Sequence, residues 1–391
     1  VEKSRQRSKS QRGSPNFLWL IILAVLAPGC WGEKDKSAPA QFFMGVSYPV
    51  DKKPTDLKAR DMNGDGFPDL LITSAETHSL YYMEGKGDGS FKDPLVMKTG
   101  REPVGIAIED FNGDGIPDVA VSNYGDDTVS IILGQKDGIF KMQEPVKVGR
   151  IPLAIVAGDF NGDRKPDLAV ALRYDKFAIL IGNGNGSFKP GETYQVGGVP
   201  SALTAGDFNG DGKIDLAFAY NGLDTDFVGV VAGNGDGTFA SLKKFAGGHQ
   251  AAYILKSDMN GDGHVDLIVC SHVKDSVTLF LGDGKGDFQK LPDFAGEKGP
   301  EYLVVGEFSG DNLPDLVVTN RVNGTLSILE GKGDGSFKFP HPNYPVGGGP
   351  RTTVGADFNR DGLTDLAVVL HDAGVVAVLL RKIEAPTDSE N

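Results

Sequence analysis

Followed as an alternation of apolar and polar positions, the chain repeats one pattern. A short apolar stretch such as VGIAIEDF (104–111) runs into a loop of Asp, Asn and Gly. An almost wholly apolar run follows, such as DVAVSN (118–123), DLAVAL (167–172) or DLIVCS (266–271). A third run, TVSIILG (128–134) or SVTLFLG (276–282), leads to a more polar fourth, FKMQEPVKV (140–148). Each reads as a short strand, and the four are designated A to D. The B runs are apolar at nearly every position, as expected of strands buried on both faces. The D runs carry Lys, Glu and Gln, which places them at an outer edge. Between C and D lies a second glycine signal, GKGDGSF (85–91), GNGNGSF (182–188) or GNGDGTF (233–239). Its Gly, Asn and Asp supply the positive φ angles of a tight hairpin, so these segments are read as structural turns.

The acidic loop occurs seven times, starting at Asp61, Asp110, Asp159, Asp207, Asp258, Glu307 and Asp357, at steps of 49, 49, 48, 51, 49 and 50 residues. Four short strands in a repeat of this length match a propeller blade. The seventh repeat stops after VVAVLL (375–380), with no C–D turn or D run, whereas FFMGVSYPV (42–50) precedes the first A run and resembles the D run FKFPHPNYPV (337–346). The pattern therefore predicts an all-β, seven-bladed propeller of four-stranded blades over 42–383. An N-terminal strand completes the last blade and leaves no orphan sheet edge.

In the loop at Asp110, oxygen-bearing side chains occupy positions 1, 3, 5 and 9: Asp110, Asn112, Asp114 and Asp118. Carboxylates about 4 Å apart repel by roughly 4 kcal/mol per pair at an effective dielectric near 20. A cation would hold them together. All-oxygen ligands on a flexible loop suit calcium better than magnesium, and no Cys or His side chain stands at a ligand position for zinc. An EF-hand would need Glu at position 12 between helices, but Val121 is there, within a strand-like run. One such loop would pass for an ordinary turn; seven at a fixed period do not.

With these loops in view, the sequence resembles the FG-GAP/VCBS-type repeat family, calcium-loop propellers related to the integrin alpha head, over residues 42 to about 383. The resemblance implies a calcium ligand set of Asp61, Asn63, Asp65 and Asp69; Asp110, Asn112, Asp114 and Asp118; Asp159, Asn161, Asp163 and Asp167; Asp207, Asn209, Asp211 and Asp215; Asp258, Asn260, Asp262 and Asp266; and Asp357, Asn359, Asp361 and Asp365. The sixth loop departs from the pattern. Its ligands would be Glu307, Asp311 and Asp315, with Ser309 in place of Asn and Asn312 in place of Gly. Arg164 and Arg360 replace loop glycines in the third and seventh. His264 stands at position 7 of the fifth, where only the carbonyl is expected to coordinate and the ring to be solvated. Relatives include adhesion heads, lectins and modules attached to enzymes, so the resemblance leaves molecular function open.

Length alone would suggest two or three domains in 391 residues, but the uninterrupted repeat array replaces that expectation with one ring. Residues 1–29 combine Lys3, Arg5, Arg7, Lys9 and Arg12 with the apolar core FLWLIILAVLA (17–27) and PGC. That is a secretory layout, too short to span a bilayer comfortably. It resembles a lipoprotein signal with Cys30 lipidated and anchored to a membrane; ordinary cleavage near Gly29 or Ala40 is the alternative. Residues 30–41 then form a linker and 384–391 a tail, and the mature chain is lipid-anchored at the cell envelope or extracellular. The formal net charge of -14 disfavours nucleic acid, where Lys and Arg must neutralise phosphate. Three acidic ligands in each of seven loops make calcium a natural counter-charge.

In a propeller the A–B and C–D connections share one face, so the acidic loops leave the opposite face to a protein or glycan partner, and a monomer is expected. On that face the sixth residue after each position 9 gives the column Ala75, Tyr124, Arg173, Asn221, His272, Arg321 and His371. Tyr124, Arg173, His272, Arg321 and His371 are the candidate ligand-binding residues, expected around one central mouth. Lys52, Lys53, Arg101, Arg150, Tyr174, Tyr220, His249 and Arg351 lie in adjacent loops. A non-enzymatic binding or adhesion module is the leading reading. For a lectin, Tyr124, Tyr174 or Tyr220 would have to stack on sugar, because Trp19 and Trp31 lie outside the repeats. A polysaccharide lyase or hydrolase would need His272, His371 and an Arg to converge.

Overall fold

Seven six-residue B strands, from Asp69–Ser74 in the first repeat to Asp365–Leu370 in the last, are buried along their whole length. Their residues alternate between two cores. Leu168, Val170 and Leu172 pack toward the preceding blade, whereas Ala169 and Ala171 pack toward the next. Seven apolar clusters result, one between each adjacent pair of sheets. The fold is thus a ring of sheets that share their cores pairwise.

The computed structural model describes residues 41–222 and 225–382. The leader, Cys30, most of the linker and the tail expected from the sequence lie outside the described residues. Within them the chain forms seven antiparallel sheets of the order A–B–C–D. In the second and fifth blades the D segment is split into two short strands. Each A strand contacts the A strands of both neighbouring blades, and Pro350–Ala356 in the seventh contacts Pro54–Arg60 in the first. The A strands therefore line the axis. The exposed D strands, such as Leu95–Lys98 and Lys243–Ala246, form the rim.

In the last blade the outermost strand is Gln41–Pro49, paired antiparallel to Val375–Lys382. Phe42 packs with Phe308 and Tyr344 of the sixth blade. The Tyr48 hydroxyl accepts a hydrogen bond from Phe91 N of the first blade at 2.8 Å, and Val50 is fully buried. One segment thereby ties three blades together. All seven A strands carry a register shift near their start, for example between Pro103 and Gly105 and between Pro300 and Tyr302. Such bulges re-aim the side chains that follow.

Deleting residues 1–51 should strip the rim of the last blade. Burial of Phe42 and Val50 alone is worth about 3 kcal/mol or more, so the melting temperature should fall sharply or the protein aggregate. Deleting 1–40 should leave it unchanged. Equal melting temperatures for the two truncations would refute this role for the N-terminal strand.

Candidate functional site

Each A–B loop is organised by the aspartate at its ninth position. Asp118 Oδ2 accepts the Phe111 N–H at 2.9 Å from inside the loop, and Oδ1 accepts the Gly134 N–H at 2.8 Å from the end of strand C. The same two bonds recur at Asp69, Asp167, Asp215, Asp266, Asp315 and Asp365, at 2.7 to 3.0 Å. These carboxylates are buried. Burial pushes Asp69, Asp118, Asp167 and Asp365 up to about 6, against the opposing pull of their N–H partners.

The outer side chains, half-buried at Asp110 and Asn112 and exposed at Asp114, are held by the loop backbone. Asp110 accepts from Gly113 N at 2.7 Å and Gly115 N at 2.8 Å, Asn112 Oδ1 from Asp114 N at 2.8 Å, and Asp114 Oδ1 from Ile116 N at 2.9 Å. Among the described residues no three His, Cys, Asp or Glu side chains already stand as a metal cage; the loops are folded about their own N–H groups. The donor set nevertheless fits a hard cation. It consists of oxygens only. Backbone twist enforces the loop shape, with φ of 65° at Arg164, 64° at Asn312 and 59° at Arg360, angles that favour glycine.

The C–D turns lie against these loops and link the blades. Gly186 N donates to Phe111 O of the preceding blade at 2.9 Å, and Gly89, Gly237 and Gly286 bond Phe358, Phe160 and Phe208 in the same way. The side chain at loop position 7 covers the turn of its own blade. His264 does so over Gly284 while staying exposed.

On the opposite face the column is real in the backbone. The N–H groups of Ala75, Tyr124, Arg173, Asn221, Arg321 and His371 each donate to a carbonyl of the D–A connection in their own blade, at 2.8 to 3.2 Å. Their side chains divide into groups. Arg173 Nη1 donates to the Tyr124 hydroxyl at 2.6 Å. Arg321 lies 3.7 Å from both Glu301 and Asp372, Arg351 lies 3.9 Å from Glu301, and His371 Nδ1 is 2.8 Å from Pro54 O. Burial pulls the His371 imidazole below its ordinary value, and Arg351 and Arg321 act in the same sense. Tyr124 and His371 line one cavity of about 490 Å³ with Lys53, Glu76, His78, Glu102 and Arg351. A second, about 630 Å³, follows the A strands along the axis. The two share Thr55, Val104, Tyr124 and Arg351. His272 lines neither, and its Nδ1 is buried without a partner.

The FG-GAP-like repeat family matches residues 61–121, 110–170, 159–218, 258–318 and 307–368, more than half of the sequence. The chain belongs to this family. No curated protein matches its sequence. Solved structures similar to this FG-GAP-like propeller include BBS1N, in a complex with ARL6DN, with a TM-score of 0.61, 13% identity and coverage of 88% of this chain and 98% of that one. An Agrocybe aegerita lectin with specific recognition of non-reducing terminal N-acetylglucosamine has a TM-score of 0.56 at 17% identity, covering 85% of this chain and 86% of its own. A functionally unknown Desulfotomaculum acetoxidans protein gives 0.52 at 12%, covering 75% and 90%. At these identities the likeness is one of fold.

Two expectations for the FG-GAP face need correction or extension. Tyr220 is fully buried between Phe218 and Phe227, so it is no stacking surface. Tyr174 is exposed with Arg150 over its ring at 5.3 Å. The axial residues were missed from sequence. Tyr253 and Tyr302 stack at 3.8 Å with their hydroxyls 2.9 Å apart, and Lys58 Nζ donates to Tyr302 at 3.2 Å beside Asp56 at 3.5 Å. Burial alone would pull Lys58 down; Asp56 and the tyrosines hold it well above its usual range. Aligning the A runs on their loops would have shown Asp56, Tyr253 and Tyr302 as large residues at a position where Gly105, Ala154 and Ala202 are small.

Because its carboxylate satisfies two buried N–H groups, Asp118→Ala should cost about 2–4 kcal/mol in calcium-free buffer, measured by chemical denaturation. Asp114→Ala in the same buffer should cost less than about 1 kcal/mol, since its partners are exposed. Equal costs would show that position 9 is no more structural than position 5.

Proposed function

We propose that this FG-GAP-like propeller is an exported, non-enzymatic binding module, with calcium on the A–B loops and a protein or carbohydrate partner on the opposite face. The observation that carries the reading is the joined pair of cavities meeting at Thr55, Val104, Tyr124 and Arg351. The smaller lies beneath B–C and D–A connections, and the larger continues along the A strands as far as Arg60 and Glu109, beside the A–B loops. Polar groups converge there: the Tyr124 hydroxyl with Arg173, Arg351 with Glu301, and His371. A few placed polar groups in a concavity of several hundred Å³ are what a ligand site requires. Export rests on the composition of residues 1–29 alone, and lipidation on Cys30.

The lectin neighbour favours carbohydrate as the first partner to try, and the BBS1N–ARL6DN complex keeps a protein partner in view. The purified protein on a glycan array tests the choice. A retained glycan should lose at least tenfold in affinity when Tyr124→Ala and Arg173→Ala are combined, a change of about 1.4 kcal/mol or more, with the melting temperature preserved. Undiminished binding would place the site elsewhere. Release of a shortened or unsaturated sugar would favour the lyase or hydrolase reading instead.

Calcium has its own test. For sites of about 0.1 to 1 mM affinity, 10 mM calcium should stabilise the fold by about 1.4 to 2.7 kcal/mol per occupied loop relative to EDTA. Identical melting curves in the two buffers would contradict the metal role.

A further inference from the structure

Resting on the reading of the other A–B loops as calcium sites, we propose that the sixth loop is metal-free and that two cations of the chain itself, the Arg381 guanidinium and the Lys338 ammonium, take the place of the ion. In six blades the residue that bonds the position 9 aspartate at or just past the end of strand C is a glycine, such as Gly182 or Gly331, where a Cβ would lie 2.1 Å from the carbonyl of loop position 8. The seventh blade has Arg381 at this point. Its N–H makes the usual bond to Asp365 at 2.8 Å, but the described chain does not go on into a C–D turn. In four other blades that turn reaches back to the preceding loop, as Gly186 does to Phe111 O. Here the Arg381 side chain reaches back instead. It is 2% exposed, Nη1 donates to Glu307 O at 3.0 Å, and the same atom stands 3.6 Å from Glu307 Oε2.

The second cation meets the second carboxylate. Lys338 Nζ lies 3.2 Å from Asp311 Oδ2 and 3.2 Å from Glu330 Oε2. Position 1 and position 5, the outer acidic ligands of an intact loop, are both matched by positive charge. The remaining carboxylate, Asp315, accepts Phe308, Ser309 and Gly331 N–H groups. The sequence departures fit the same account. Glu307 is one methylene longer than Asp and accepts the Gly310 N–H while facing the arginine. Ser309 lacks the amide oxygen. Lysines at position 7 of the third and fourth loops approach their position 5 only at 3.7 and 3.9 Å, and among the described residues no ion pair reaches their position 1. The seam between the sixth and seventh blades is thereby closed by a tethered cation rather than by an exchangeable one.

Native mass spectrometry of the full chain in millimolar calcium should count six ions, and Glu307→Gln combined with Asp311→Asn should leave six. Seven ions in the unaltered protein, or a drop to five in the double variant, would overturn the proposal while leaving the calcium reading intact. A count of zero would remove the reading on which it rests. Arg381→Ala should lower the melting temperature by about 5 °C in calcium and in EDTA alike; no loss in EDTA would contradict the assignment. Should that variant not fold, the double variant still decides.

Discussion

The structure depends on one carboxylate used twice. The aspartate at loop position 9 binds an N–H of its own loop with one oxygen and an N–H at the end of the strand C segment with the other. It therefore fixes the A–B connection to the C strand of the same sheet, and in four blades the C–D turn that begins there bonds the loop of the preceding blade. Removing the acceptor would orphan two buried donors, each costing about 1 to 3 kcal/mol. The same burial makes the charge expensive, which shows in the upward displacement of these groups. A ring with seven such sites concentrates negative charge on one face, the charge that the proposed calcium ions would offset.

That division of labour leaves the other face free to vary. Its backbone is as regular as that of the loop face, since six column residues repeat one hydrogen bond to the D–A connection. Its side chains are not regular, because no shared core or clamp constrains them. Tyr124 with Arg173, Arg321 with Glu301, and His371 with Pro54 are separate local solutions on an invariant frame. Many of the cations are also committed: Arg101 binds Asp126 and Gly125, and Lys53 pairs with Glu76. The face is best described as polar and self-neutralising rather than basic.

Much of the frame was legible in the sequence because its determinants are local. The fixed spacing of the loops, the wholly apolar B runs and the glycine turns each sit within one repeat, and five matched repeats with seven sheets of the order A–B–C–D agree with them. What escaped was set by contacts across repeats. Lys58 and Tyr302 are 244 residues apart, and the bulge in each A strand breaks the simple alternation that would have pointed them at the axis. Arg381 and Glu307 meet only because neighbouring blades pack. The burial of Tyr220 followed from the B strand's end lying under Phe227 rather than at a loop tip.

The most direct test of the loop account is a calcium anomalous difference map from crystals grown in millimolar calcium. The account predicts peaks inside the loops that begin at Asp61, Asp110, Asp159, Asp207, Asp258 and Asp357, with the position 9 bonds to the backbone retained. Empty loops under those conditions would contradict it, and would leave the aspartates as purely structural clamps.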